Sequence, residues 1–595
     1  MYLKQKNRRM LKQAALHLAE NDFVITNVQV FNVFTKEICP AAVYVKDGFT
    51  TYVDYDQKTT PSGLKTIDGQ ANYLLPGLID AHTHIESTML TPQRYAELVA
   101  PFGTTTVICD PHEIANAFGI QGLEYMLAAT ENVPLRVLFD IPSCVPSVEN
   151  LEVSGAVFHK EQIQKILTFK RVVGLAEVMD YQGVINDSTR MAENITAVEN
   201  QGLYIQGHCP LVSQQDLAAY RIGGPISDHE SSTIAEIKEK LRAGMYIDLK
   251  EANTTRNLVK FIKEIKDWPC LSRFTFCTDD RRANVIQKQG HINGIINKAM
   301  RAGLSPQAAV SFATINAAQE AQIADLGAIA PGYLADFVLT ADLTDIQPLM
   351  IWLEGKITYQ KQHLVEFKQP QTLPLEKIDS IQIPSLQKAD FYLTVPPAAQ
   401  QLSKIKMNYI AYQSYTSAFT DLQTAEFAVQ AGRVLLPEQG DFMFVAVINR
   451  YGQKHWAKAL LQKFGINKGA IASTVSHDSH NLTVVYRNSS DALLAAQQVK
   501  RQKGGLVAVK DGQILARIAL PVAGLMTNQP VAAVNDQIQQ LTQAGQALGT
   551  GVLANPISRM TIVSLLVSPY FKLSDLGLVD TLQHQLLPLF PDYLD

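Results

Sequence analysis

The chain has 595 residues, of which 47% are apolar and 18% charged, and its net charge is −4. A chain this long exceeds a single hydrophobic core, so about three structural units are expected, and its apolar content excludes a disordered chain. It carries no long basic block, which excludes a nucleic-acid backbone binder.

Residues 1–22 interleave Lys4, Lys6, Arg8, Arg9 and Lys12 with Leu11, Ala14, Ala15, Leu16 and Leu18. No uninterrupted apolar run with a small-residue cleavage site follows. The pattern therefore predicts an amphipathic helix on the protein surface or at a subunit contact, in preference to a leader or a membrane-surface helix. No segment has the roughly 18 consecutive apolar residues of a membrane span. Residues 23–73 read as short strands and hairpins, with Phe23–Val30 largely alternating and Lys46-Asp47-Gly48 as a turn.

From residue 74 to about 334, apolar strand candidates recur near 74–82, 104–109, 134–140, 172–178, 203–207, 225–228, 245–249 and 273–278. Helical stretches such as 92–100, 115–131 and 188–200 lie between them. Strands alternating with helices predict an α/β fold, a (β/α)8 TIM-type barrel. Residues 335–368 return to strand character and are expected to join 23–73 in a small discontinuous β-sandwich domain. Residues 369–400 are rich in Pro and Gln and read as a linker. Residues 401–595 read as an additional C-terminal α/β domain, with a strand at 442–448 and a hairpin at Lys510-Asp511-Gly512. The six cysteines form no CxxC pair. That argues against a disulfide framework or thiolate zinc site and fits a reducing cytoplasm.

The run Leu75-Pro76-Gly77-Leu78-Ile79-Asp80-Ala81-His82-Thr83-His84 ends an apolar strand with two imidazoles. Side chains alternate along a strand, so His82 and His84 share a face and can hold one divalent ion. Other strand ends of the barrel carry Asp110-Pro111-His112-Glu113, Glu177, His208, Asp228-His229-Glu230 and Asp279-Asp280. Each has an ordinary explanation by itself, such as a loop histidine or a helix cap. Together they gather carboxylates and imidazoles at the end of a barrel where active sites form, and buried carboxylates need a partner or a metal. The set can build a two-metal site. His82 and His84 would hold one ion, His208 and His229 the other, and Glu177 would bridge them. Asp279 would ligate the first ion and face its water, and two close cations lower the pKa of water towards about 7, giving hydroxide. Donors of N and O without thiolate fit Mn2+ or Fe2+, with Zn2+ also allowed.

These motifs resemble the amidohydrolase superfamily and, more narrowly, the adenine deaminase family. The resemblance rests on Pro76 to Ser87, Asp110 to Glu113, Gly174 to Met179, Ser227 to Glu230, Phe276 to Arg281 and Gly290-His291-Ile292. It extends to Ala313 to Asn316, Leu326 to Gly332, Gly469 to Ala472, Ser476-His477-Asp478-Ser479-His480-Asn481, Val509 to Gly512 and Leu520 to Leu525, and so covers nearly the whole chain. It implies hydrolysis of adenine to hypoxanthine and ammonia in purine salvage, with two divalent ions per chain and a homo-oligomer such as a dimer. In this reading Asp279 moves the proton, and Glu86 or Glu113 protonates or orients the purine. Asp110, His112, His477, Asp478 and His480 are candidate substrate contacts. His477, Asp478 and His480 either reach over the barrel mouth or stabilise a tight turn. The chain departs from the family pattern at Cys209, at Lys250-Glu251-Ala252-Asn253 and at Arg282, none of which is a proposed ligand. Two other readings compete. A cyclic amide hydrolase of the dihydroorotase or hydantoinase kind usually bridges its metals with a carboxylated lysine, where strand four here offers Glu177. A non-catalytic binding barrel typically loses ligands, and all six are present.

Overall fold

A computed structural model describes residues 7–56, 63–253, 256–368, 374, 377–415, 417, 419–438, 441–549, 556–568 and 570–593. All eight expected barrel strands are present. Leu78–Thr83, Thr104–Cys109, Arg136–Ile141, Val172–Val178 and Tyr204–Gly207 pair in chain order as one parallel sheet. Ser227–Asp228, Tyr246–Lys250 and Phe274–Cys277 form a second. The strands are almost wholly buried, as expected of a parallel sheet covered by helices. The helices Pro92–Val99, His112–Ala129 and Thr189–Glu199 lie between strands close to their expected positions. The whole is a curled, TIM-like α/β arrangement.

The two parallel sheets meet at two seams, and both are stitched by carboxylates. At the fifth-to-sixth seam, the Ile226 N–H donates to the Ile205 carbonyl (2.9 Å). A Cβ on Gly207 would strike the Ser227 carbonyl, so only glycine allows the strands this close. Asp228 accepts from the Cys209 N–H at 2.9 Å and pairs with the buried Lys240 ammonium at 2.8 Å. At the eighth-to-first seam, Thr83 and Asp279 form a parallel bridge, and the Asp279 N–H donates to the His82 carbonyl (3.0 Å). Asp80 accepts there from the Thr278 N–H at 3.0 Å and the Thr278 hydroxyl at 2.5 Å.

Strands from 23–76 and 337–364 join in a single nine-stranded sheet. Its two arms share one core, in which Ile25, Val43 and Val53 meet Phe337, Leu339 and Trp352. The expected small β domain is thus one continuous sheet formed from both segments. The N-terminal helix spans Arg8–Ala15 and buries Leu11 and Ala14 against the strand Phe49–Asp54. Leu16 and Leu18, assigned to the same helix by the pattern, lie beyond its end and are exposed.

Farther along, a second nine-stranded sheet contains Phe442–Ile448 and the hairpin Gly505–Lys510 with Gln513–Ala519. Helix Ser489–Arg501 covers one face. Helix Val531–Leu548 packs with the other face through Val534, Ile538 and Leu541, in a core that continues into the barrel at Tyr95, Val107 and Phe139. The described part of the expected linker differs from a free connection. Ile383, Leu386, Phe391, Leu393 and Val395 are buried against this sheet, so the segment is a packed strap. Its remainder, at 369–373 and 375–376, lies outside the described residues.

Candidate active site

Strand ends place the site. His82 and His84 leave the first strand on the same side, with Nε2 atoms 3.1 Å apart. Their tautomers are set by what lies behind them. The Gln206 amide N–H donates to the Ala81 carbonyl, so its Oε1 faces His82 and accepts from Nδ1–H at 2.6 Å. His84 donates its Nδ1–H to the Asp110 carbonyl at 3.0 Å. Both Nε2 atoms therefore face one another, an arrangement that needs a proton or a metal ion between them. Such backing of the outer ring nitrogen is what metal-ligating histidines show. Glu177 Oε1 and Asp279 Oδ1 stand 3.3 and 3.2 Å from the same His84 nitrogen. These spacings suit ligands that share an ion at about 2.1 Å.

The second half sits on the other oxygen of Glu177. His208 Nδ1 and His229 Nε2 lie 2.6 and 3.1 Å from Glu177 Oε2. His229 stacks on His82, with ring centroids 4.4 Å apart. The six residues His82, His84, Glu177, His208, His229 and Asp279 thus converge, and Glu177 lies between the two histidine pairs. All of these but Glu177 gather at the two seams, where Asp80 and Asp228 hold the strand ends together.

The charges agree with an ion site. Against the penalty of burial, Asp279 and Glu177 hold His84 well above the usual imidazole range, while burial and its neighbouring imidazoles push His82 well below it. Burial also opposes the charge on Glu177, yet His208, His229 and His84 keep its carboxyl well below the carboxylate range. Asp279 is kept low in the same way, chiefly by Lys250. Lys250 Nζ donates to Asp279 Oδ2 at 2.9 Å and also pairs with Glu230. This clamp was not foreseen from sequence; its only trace was the departure at residues 250–253. Asp279 itself has φ 51°, a left-handed backbone costing about 1–2 kcal/mol for a non-glycine residue. The Thr83 bridge holds it there and aims Oδ1 at the imidazoles.

Above these residues opens a cavity of about 370 Å³, a size suited to a small molecule. Its floor includes His84, His112, Glu113, Glu177, His208 and Asp279, and its wall includes Glu230, Lys250, Asp280 and Arg282. The far chain segment adds Phe419, Val475, His477, Asp478, Ile562 and Leu565. His477 and Asp478 therefore reach the barrel mouth. His480 is behind them, and its N–H closes a turn onto the Ser476 carbonyl at 2.9 Å. The two sequence alternatives for this stretch are thus divided between its residues.

Three further sequence-predicted residues are placed as follows. Glu86 is set back from the cavity, because the short helix Ile85–Thr88 turns it under the next helix, where it accepts from the Ile114 N–H at 3.2 Å. Burial and the nearby Glu113 charge push it up to about 7. Glu113 lines the cavity but is committed to His477 Nδ1 (2.5 Å) and His480 Nε2. These imidazoles hold its carboxyl well below the usual range despite its burial. Asp110 lies beneath the cavity, where it accepts from His112 Nδ1–H at 2.8 Å and orients that ring.

The fold and the donor set define a metal-dependent hydrolase barrel, and residues 73–368 match the amidohydrolase family. Residues 417–585 match the adenine deaminase C-terminal domain. "Adenine deaminase 2" of Carboxydothermus hydrogenoformans is 35% identical over 97% of this chain and 99% of its own length. "Adenine deaminase" of Dehalococcoides mccartyi is 35% identical, covering 98% and 99%, and that of Thermosipho africanus is 35% identical, covering 96% and 97%. The chain belongs to the adenine deaminase family. Among solved structures, an enamidase is 16% identical with a TM-score of 0.43, covering 56% of this chain and 95% of that one.

Proposed function

We propose that the chain hydrolyses adenine to hypoxanthine and ammonia. The observation that carries this reading is likeness along the whole chain to adenine deaminases, including the C-terminal domain that walls the cavity. The ions would be held by His82, His84 and Asp279 on one side, and by His208 and His229 on the other, with Glu177 shared. Two manganese or iron ions, with zinc as a third choice, would supply Lewis acidity and a water acidic enough to react at neutral pH.

The chain's own residues account for the rest. The reaction replaces the C6–N bond of adenine with a C6–O bond. Of the two protons of water, one ends on ring nitrogen N1 and the other on the leaving amine. Asp279 Oδ1 accepts a proton and passes it on. Lys250 holds Oδ2 and keeps Asp279 a weak base, so a proton taken up there is readily released. Met89, Met179, Phe419 and Leu565 give the purine an apolar enclosure, while Lys250, Glu230 and Arg282 offer polar contacts at its edge. His112, His477 and Asp478 line the same cavity, backed by Asp110 and His480. Glu86 and Glu113 position the helix and loop around it.

The wider reading places the enzyme in cytoplasmic purine salvage as a homodimer. It keeps the division into 1–22, 23–73 with 335–368, 74–334 and 401–595, with the strap from residue 377 counted with the last unit. Among the described residues no helix is long and apolar enough to cross a membrane. The fourth barrel strand, Val172–Val178, contains no lysine to carboxylate, which disfavours a cyclic amide hydrolase. Ammonia release from adenine, compared with ring opening of dihydroorotate and hydantoin, tests the choice. Ammonia from adenine alone is expected. Ring opening without ammonia would overturn the reading.

A further inference from the structure

Beside the barrel centre lies a second cluster, whose members the deamination reading uses only as cavity wall. His112 and Glu113 open the helix His112–Ala129, and His477 and Asp478 come from the loop between the strands Ala470–Ser473 and Leu482–Tyr486. All four are buried or nearly so. His112 Nε2 lies 3.7 Å from both Glu113 Oε1 and Asp478 Oδ1. His477 Nδ1 lies 2.5 Å from Glu113 Oε1 and 3.9 Å from Asp478 Oδ1. Three of these four spacings are too long for hydrogen bonds. They are close to the edge of a tetrahedron of N and O ligands at about 2.1 Å from an ion, which is about 3.4 Å.

The hydrogen bonds behind the cluster orient it as an outer shell orients ligands. His112 gives its Nδ1–H to Asp110, leaving the Nε2 lone pair facing two carboxylates. His480 accepts the Ser476 N–H on Nδ1, at 3.2 Å. Its Nε2 therefore carries the hydrogen and faces Glu113 Oε2, with which it pairs. That leaves Glu113 Oε1 for the cluster. Asp478 is 2% exposed, and its Oδ2 has no hydrogen-bond partner among the described residues.

We propose that His112, Glu113, His477 and Asp478 bind one further divalent transition-metal ion, separate from those of the barrel centre. Two carboxylates neutralise the ion, and two neutral imidazoles complete an N2O2 set, so the buried unit carries no net charge. Four protein ligands make a closed site of the structural kind. It ties the 476–481 loop to the barrel mouth and fixes one wall of the cavity. His112 Nδ1 is 3.5 Å from Glu177 Oε1, so the two centres share a wall.

The test is metal content per folded chain after manganese loading and removal of loose ions, with zinc loading in parallel. Asp478→Asn and His477→Ala are each expected to lose one ion relative to the natural sequence. His229→Asn is expected to lose ions of the barrel centre only, which separates failure here from failure of the two-ion reading. Anomalous scattering from manganese-loaded crystals of the natural protein serves if a variant misfolds. A peak among the four ligand atoms is expected. An unchanged count in both variants, or anomalous peaks confined to the barrel centre, would mean that protons alone hold the cluster and would overturn the proposal.

Discussion

Asp279 presents two oxygens to two different tasks. Oδ1 faces the His84 imidazole at 3.2 Å and Oδ2 is clamped by Lys250 at 2.9 Å. The ammonium favours the ionised carboxylate, so removing it raises the Asp279 pKa towards and past its ordinary value. Lys250→Met should therefore move the acidic limb of the kcat–pH profile to higher pH and lower kcat at neutral pH. A limb left in place would show that Lys250 does not govern this carboxylate. The histidines and Glu177 were legible in the sequence because each follows an apolar strand, where a charged or imidazole side chain needs a reason to be. Lys250 was not, since a lysine near a strand end ordinarily reads as solvated. The placement of Glu86 was not legible, although it is two residues from His84 in sequence. One turn of 3-10 helix carries it under the helix His112–Ala129 and away from the cavity.

Strand seams, more than the strands themselves, position the ligands. The Asp228–Lys240 pair is wholly buried and ties the ends that carry His208 and His229. Burial works against ionised Asp228, but Lys240 holds its carboxyl far below the usual range. Replacing Lys240 with Met leaves an uncompensated buried carboxylate, a change that typically costs about 3–5 kcal/mol. Urea unfolding of Lys240→Met should show a loss of that order, and a loss under about 1 kcal/mol would show the pair to be dispensable. Most barrel strands were legible from short apolar stretches, whereas the sixth, Ser227–Asp228, is two polar residues and gave the weakest signal. The strap around 378–399 was not. Its Pro and Gln residues mark a loop, and Pro384 breaks any helical reading of the spacing of Ile383, Leu386 and Phe391, so their burial leaves no usable signal.

At the scale of the molecule, the cavity belongs to both ends of the chain: the barrel supplies its floor, and residues 419 and 475–568 supply much of its far wall. Sequence periodicity finds each unit but not their docking, because the shared core from Tyr95 to Ile538 is assembled from residues that look alike in any buried helix or strand. Ions held by the proposed ligands would favour the folded state by mass action. Stripping them with a chelator should lower Tm, and manganese should restore it; an unchanged Tm would argue that the donors hold no ion. The most direct measurement is the ultraviolet shift from adenine to hypoxanthine by manganese-loaded protein, beside a chelated sample and Asp279→Asn. Conversion by the loaded protein, abolished by chelation and reduced by about 10²–10⁴ in Asp279→Asn, is the predicted result. Folded, metal-replete protein that leaves adenine unchanged, or an Asp279→Asn variant as active as the natural sequence, would contradict it.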